Sequence, residues 1–215
     1  MKRHDWMARD AWFRFVGERR GGFSLLAVAA VIYGMLGGQD LPFDVFELRP
    51  AILPLVGVGL LVLGGLVRLW AAGYIRKSKE VTRAGPYSLV RHPLYLGTLL
   101  AWVGFLILSG NLLLGFQTFW LLFFAVYYPR MLIEECRLTE RFGITYENYR
   151  KEVSMLLPWK RVSYRTGDWS LRLAWDNKGF RLLCLIPVIL LTLEAIEELR
   201  QGRFIFYSLQ QLVLR

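Results

Sequence analysis

An Arg-His pair, two tyrosines and a double carboxylate stand out from an otherwise apolar chain. Arg91, His92, Pro93 and Tyr95 lie in Gly85-Pro-Tyr-Ser-Leu-Val-Arg-His-Pro-Leu-Tyr-Leu-Gly97. Glu134 and Glu135 precede Phe142-Gly-Ile-Thr-Tyr146-Glu-Asn-Tyr149-Arg150. Ionisable groups beside runs long enough to lie in a membrane are costly to keep there, which makes them functional candidates. Their chemistry is complementary. Pro93 suits the first turn of a helix, whose electropositive start, with His92 and Tyr95, would seat a carboxylate. A glutamate would take an ammonium. The set therefore suits a zwitterionic amino-acid moiety. Taken singly, each feature also has a plainer reading: His-Pro as an interfacial cap, Glu-Glu as a solvated helix end. Two histidines and two widely separated cysteines, Cys136 and Cys184, give no zinc spacing and no expected disulfide, so metal is not expected. Cys136 adjoins the glutamates without an imidazole-like partner, which argues against a nucleophilic role.

The elements that must position these groups are apolar runs. The chain of 215 residues is 55% hydrophobic and 15% aromatic, yet carries a formal net charge of +10, with the basic residues in blocks beside the apolar runs. That segregation favours a polytopic membrane protein facing anionic headgroups over a nucleic-acid binder. Runs at 23–38, 51–75, 93–108 and 112–133 read as spans, the first and third short against the roughly 20 residues a bilayer core requires. Ser109-Gly110-Asn111 reads as a tight turn that makes a hairpin of the third and fourth, bringing His92 and Tyr95 close to Glu134-Glu135. A fifth run at 179–199 contains Pro187.

Lys and Arg crowd residues 1–20, 76–92 and the segment after residue 133, whereas the connection before residue 51 is acidic. The positive-inside rule then places the N-terminus, the 76–92 loop and the 134–178 segment in the cytoplasm and the C-terminus on the far side. Residues 1–20 read as an interfacial helix rather than a cleaved signal. Tyr87, Tyr127 and Tyr128 read as aromatic-belt anchors, and Arg68 as a side chain snorkelling to the interface. Gly57-Val-Gly59 reads as a close-packing site between helices and lacks the setting of a dinucleotide loop. The expectation is one all-α, membrane-embedded domain over 1–215, of about five spans, with short cytoplasmic helices closing a pocket.

Two strings carry a family resemblance: Gly-Pro-Tyr-x-x-Val-Arg-His-Pro-x-Tyr-x-Gly from Gly85 to Gly97, and Glu-Glu-x-x-Leu-x-x-x-Phe-Gly-x-x-Tyr-x-x-Tyr from Glu134 to Tyr149. The chain resembles the integral-membrane S-adenosylmethionine-dependent methyltransferases, which include isoprenylcysteine carboxyl methyltransferases and phospholipid N-methyltransferases. The likeness covers residues 83–158, and the tail 159–215 has no recognised counterpart in it. It implies S-adenosylmethionine as cofactor, with Arg91, His92, Pro93, Tyr95, Glu134 and Glu135 forming its pocket. Tyr149 and Arg150 would stand near the transferred methyl, and the acceptor would be a lipid or other lipophilic molecule. Nucleic acid and metal are not implied. The location would be an integral membrane protein with a cytoplasm-facing site, in the inner membrane of a bacterium or the endoplasmic reticulum of a eukaryote. A sulfonium methyl is already activated, so transfer needs positioning and desolvation more than a catalytic triad. The competing readings are an NADPH-dependent membrane reductase of the sterol-reductase type, and a non-catalytic membrane protein retaining the fold.

Overall fold

A computed structural model describes residues 20–36, 52–76, 80–110, 112–160 and 162–200. The interfacial helix expected over 1–20 (save Arg20), the acidic connection and the chain beyond residue 200 lie outside these residues. Helices run where the apolar runs predict them: α1 Arg20–Leu36, α2 Ile52–Ala72, α3 Pro93–Leu108, α4 Leu112–Leu122, α5 Tyr128–Phe142, α6 Ile144–Glu152, α7 Leu171–Asp176 and α8 Arg181–Arg200. Among the described residues there is no strand, only a single parallel bridge between Val90 and Ser154. The described residues are all-helical. Of the described helices, α2 alone, at 21 residues, is long and apolar enough to cross a membrane. The third run forms the shorter apolar helix α3.

Glycines set how α2 and α3 pack. A Cβ at Gly64 would lie 2.4 Å from the Gly97 carbonyl oxygen, and one at Gly104 2.5 Å from that of Gly57. The two backbones therefore touch at positions seven residues apart on antiparallel helices, the close approach that small residues permit. Gly57 is a packing residue, as its sequence setting predicts. Gly59 has nothing within 4 Å and takes no part. This contact fixes Arg68, one turn beyond Gly64, against the first turns of α3.

The fourth run is less regular than a single helix. Between α4 and α5 the backbone widens into a π-turn over Phe123–Tyr127, just before Pro129. Proline has no N–H to give and its ring crowds the preceding turn, so a locally wider helix is a natural accommodation. The turn directs Tyr127 into the core, where its hydroxyl accepts from Trp102 Nε1 at 3.2 Å. At the other end, Gly143 adopts φ 53, and its amide caps α5 by donating to Thr139 at 2.8 Å. Such a positive φ favours glycine and lets α6 fold back at once. The chain after α6 then returns beside the start of α3: the Arg91 amide donates to the Ser154 carbonyl (2.8 Å) and the His92 amide to that of Met155 (3.1 Å).

Candidate functional site

These connections enclose a cavity of about 700 Å³, within the roughly 300–1,000 Å³ usual for small-molecule sites. It is lined from three stretches: 75–98 with Arg68, Tyr127 to Tyr149, and Asp176 to Arg181. Most of these residues belong to the 76–92 and 134–178 connections, whose Lys/Arg content predicts the same side of the membrane.

His92, Pro93, Tyr95, Arg91, Glu134 and Tyr149 all line this cavity, so the two sequence strings converge in space. The two glutamates divide. Glu134, half-buried, faces the cavity, and its Oε2 accepts from the Tyr95 hydroxyl at 3.1 Å. Glu135 is not part of the cavity lining and is only 3% exposed. Its Oε1 accepts from Arg91 Nε at 2.8 Å and lies 3.2 Å from His92 Nε2, while Oε2 is 3.4 Å from Arg150 Nε. With an ionised carboxylate as acceptor, His92 Nε2 carries the hydrogen of that bond. Arg91 also donates through Nη1 to the carbonyls of Arg150 (2.7 Å) and Val153 (2.9 Å). Burial drives the Glu135 carboxyl towards its neutral form. The His92 hydrogen bond and the charges of Arg91, His92 and Arg150 outweigh that, holding it below the ordinary carboxylate range. Glu135 is thus the knot tying α3, α5 and α6 together, and Arg150 is one of its strands. The Arg150 side chain is not part of the cavity lining, whereas the resemblance implies a place near the transferred methyl.

Tyr149 is buried, and its hydroxyl donates to the Tyr87 carbonyl at 2.7 Å. The Arg83 guanidinium lies 5.6 Å from its ring centroid, while Arg83 Nη2 also donates to the Thr145 carbonyl. Burial above all pushes the Tyr149 and Tyr146 phenols upward, so both remain protonated at neutral pH.

Three side chains read from sequence as membrane furniture belong to the site instead. Arg68 does not snorkel outward. Its Nη1 donates to Thr98 Oγ1 at 2.6 Å and the Leu94 carbonyl at 3.1 Å, and it lines the cavity. Tyr127 is buried on the cavity wall with its ring edge-on to Tyr95 at 6.2 Å. Tyr87 is also on that wall, 7% exposed, and its hydroxyl has no hydrogen-bond partner among the described residues. Burial first, then Tyr149 and Glu134, raise this phenol well above its ordinary range, with Arg68 opposing. It remains a protonated donor, buried and unpartnered among the described residues. Tyr128 is 40% exposed and is not part of the cavity lining. The signal that could have marked Tyr87 was its place inside the Gly85–Gly97 string; no periodicity marked Arg68. Among the described residues no group of three His, Cys, Asp or Glu side chains could hold a metal ion.

Comparison with known proteins gives one family model and relatives of two kinds. A family model described as phospholipid methyltransferase matches residues 53–145. The nickel-cobalt-cadmium resistance protein NccN of Alcaligenes xylosoxydans xylosoxydans is 30% identical over 148 residues, 67% of this chain and 67% of that protein. The cobalt-zinc-cadmium resistance protein CzcN of Cupriavidus metallidurans is 31% identical over 158 residues, 72% of this chain and 69% of that protein. The methanethiol S-methyltransferase of Mycobacterium tuberculosis is 28% identical over 182 residues, 73% of this chain and 72% of that enzyme. No solved structure gives a significant match.

Proposed function

Because the chain belongs to the phospholipid methyltransferase family of membrane proteins, we propose that it transfers a methyl group from S-adenosylmethionine to a lipophilic acceptor drawn from the membrane side. The observation that carries this reading is the cavity's pairing of opposite charges with an orphan donor. Glu134 and Arg68 face the same space, and the buried Tyr87 hydroxyl is left for a ligand to satisfy. An α-amino acid is the small group that uses both charges. Its ammonium would lie against Glu134, held in place by Tyr95, and its carboxylate towards Arg68 and the first turn of α3.

When bound, S-adenosylmethionine supplies a methyl on a positively charged sulfur that departs as a neutral thioether. The protein's part is positioning and exclusion of water. Tyr95 fixes the rotamer of Glu134 through their hydrogen bond, and Tyr127 buttresses Tyr95 edge-on. Glu135 acts at one remove: it holds His92 and Arg91, and through Arg150 it anchors α6, whose Tyr146 and Tyr149 form a wall. In this scheme Glu134, Arg68, Tyr95, His92 and Tyr87 touch the ligand, and Glu135, Arg91 and Arg150 position it. A site needing no base suits acceptors that arrive as carboxylate, thiolate or free amine. The isoprenylcysteine carboxylate suggested by sequence meets that condition directly, whereas an amino-phospholipid headgroup or a small thiol such as the one in the name of the mycobacterial relative is protonated at neutral pH and must first give up a proton to water.

Calorimetric titration of the detergent-purified chain with S-adenosylmethionine and with NADPH tests the cofactor. Binding of NADPH in place of S-adenosylmethionine would overturn the proposal in favour of a reductase. Transfer of labelled methyl into total membrane lipid, prenylcysteine analogues and thiols then identifies the acceptor.

A further inference from the structure

The family match stops at residue 145, but the cavity wall does not: Asp176, Asn177, Lys178 and Arg181 complete it. The segment that brings them is fastened to the core. The Gly85 amide donates to the Arg165 carbonyl at 2.8 Å and the Ser170 amide to the Gly73 carbonyl at 3.1 Å. Asn177 Nδ2 donates to the carbonyls of Ala72 and Ile75, both at 3.0 Å. Those groups lie at the end of α2, where a helix leaves its last carbonyls unpartnered. There is no slack at the seam, since a Cβ at Gly73 would fall 2.0 Å from Trp169 Nε1 and one at Gly179 2.7 Å from the Ala72 Cβ.

Lys178 sits in a strained place. The Lys178 amide donates to Trp175 and the Gly179 amide to Ala174, both at 2.8 Å, the two bonds of a Schellman turn closing α7. The left-handed position of that turn normally takes glycine. Here it takes Lys178 at φ 57, the one non-glycine with positive φ among the described residues, while Gly179 comes one residue too late. A side chain kept in such a conformation on a cavity wall points to use. The charges agree. Arg76 is paired with Glu80 at 3.5 Å, and Arg91 and His92 with Glu135. Lys178 and Arg181 have no carboxylate partner among the described residues. Asp176 on the same wall offsets one of them and leaves the mouth cationic.

We propose that the 162–181 segment is an acceptor-selecting wall, in which Lys178 and Arg181 bind a carboxylate or phosphate on the acceptor. The proposal rests on the methyl-transfer reading and deepens it by naming the acceptor's class. An anion held at the mouth lets the rest of the acceptor reach inward, towards Glu134 and Tyr95. The same two cations could serve an anionic lipid headgroup, so the test separates the two sources.

The full chain is placed in phosphatidylcholine nanodiscs and given 3-mercaptopropionate or 1-propanethiol, which differ only in the carboxylate, with methyl-labelled S-adenosylmethionine. The wild type should prefer the carboxylate thiol in kcat/KM. Lys178→Gly and Arg181→Gln should each cut that preference by about tenfold, the scale of one charge-assisted contact. Their S-adenosylmethionine affinity should be unchanged, and Lys178→Gly, which suits the turn, should not lower the melting temperature. A wild type without charge preference, or a preference that survives both substitutions, overturns the proposal. So does a preference that appears only when phosphatidylglycerol is added, since the cations then serve headgroups. If neither thiol is methylated, equilibrium dialysis of 3-mercaptopropionate decides: binding lost in the variants supports the wall, and binding indifferent to them overturns it. Failure of the wild type to bind S-adenosylmethionine would instead sink the methyl-transfer reading, a result distinct from label transfer without charge preference.

Discussion

At the scale of single residues the adjacent glutamates should behave oppositely. Glu134→Gln removes a cavity-facing charge and little packing. It should weaken S-adenosylmethionine binding about tenfold or more, from roughly 1.5–3 kcal/mol for a hydrogen bond to a charged group, with the melting temperature nearly unchanged. Glu135→Gln leaves Arg91 and Arg150 without their counter-charge and should cost about 3 kcal/mol of stability. Thermal unfolding and calorimetry on both variants check this, and equal effects on both readouts would remove the division of roles. Glu135 also sets an acid limit. Its folded carboxyl titrates below the unfolded value of about 4.3, so its stabilisation is fully present above that pH and is lost as pH falls through the lowered folded value. Melting temperatures of the wild type should therefore drop on acidification below about pH 4.3, and Glu135→Gln should flatten that slope. Tyr87→Phe makes a third contrast. Removing a buried hydroxyl that lacks a partner should leave the ligand-free protein as stable or slightly more so, while ligand affinity falls by up to about tenfold, the net worth of one hydrogen bond. Unchanged affinity would take Tyr87 out of the site.

At the scale of elements, the site depends on how closely α2 and α3 approach. Gly64→Ala would drive a methyl against the Gly97 carbonyl, and Gly97→Ala one against that of Gly64 at 2.6 Å. Either should cost about 1–3 kcal/mol by overpacking. Each should also weaken ligand binding, because separating the helices pulls Arg68 from Thr98 and Leu94. Gly59→Ala is the control on the same helix: with open space around it, it should be neutral or stabilising by about 0.5–1 kcal/mol. Thermal unfolding of the three variants decides, and a Gly64→Ala protein as stable as Gly59→Ala would mean that the backbones do not touch.

At the scale of the whole molecule, the cavity gathers side chains from the 75–98, 127–149 and 176–181 stretches at one end of the helices. Five spans with a cytoplasmic N-terminus would put that end in the cytoplasm, where S-adenosylmethionine is made available, and α8 would lead away from it. Reporter fusions after residue 80, after residue 160 and after residue 200 should read cytoplasmic, cytoplasmic and far-side. A cytoplasmic signal after residue 200 would make α8 a surface or re-entrant helix. Nearest to that risk are Glu194 and Glu197, carboxylates carried well along a helix that also contains Pro187.

The sequence by itself determined the helices, their order and the meeting of the two motifs, because apolar runs and turn residues act locally and a tight hairpin leaves little choice about which ends are neighbours. His92, Tyr95 and Glu134 were legible for the same reason: charge beside an apolar run is conspicuous. What the tertiary structure alone decided was direction. Two neighbouring glutamates on one helix point about 100° apart, so only the packing of α3 and α6 could assign Glu134 to the cavity and Glu135 to the Arg91–His92–Arg150 knot. Arg68 and Tyr87 looked like interface residues because composition cannot tell a side chain facing lipid from one facing a cavity within the fold. The wall formed by 176–181 was equally hidden. It depends on Asn177 finding the end of α2, a contact across some hundred residues of chain that no local pattern records.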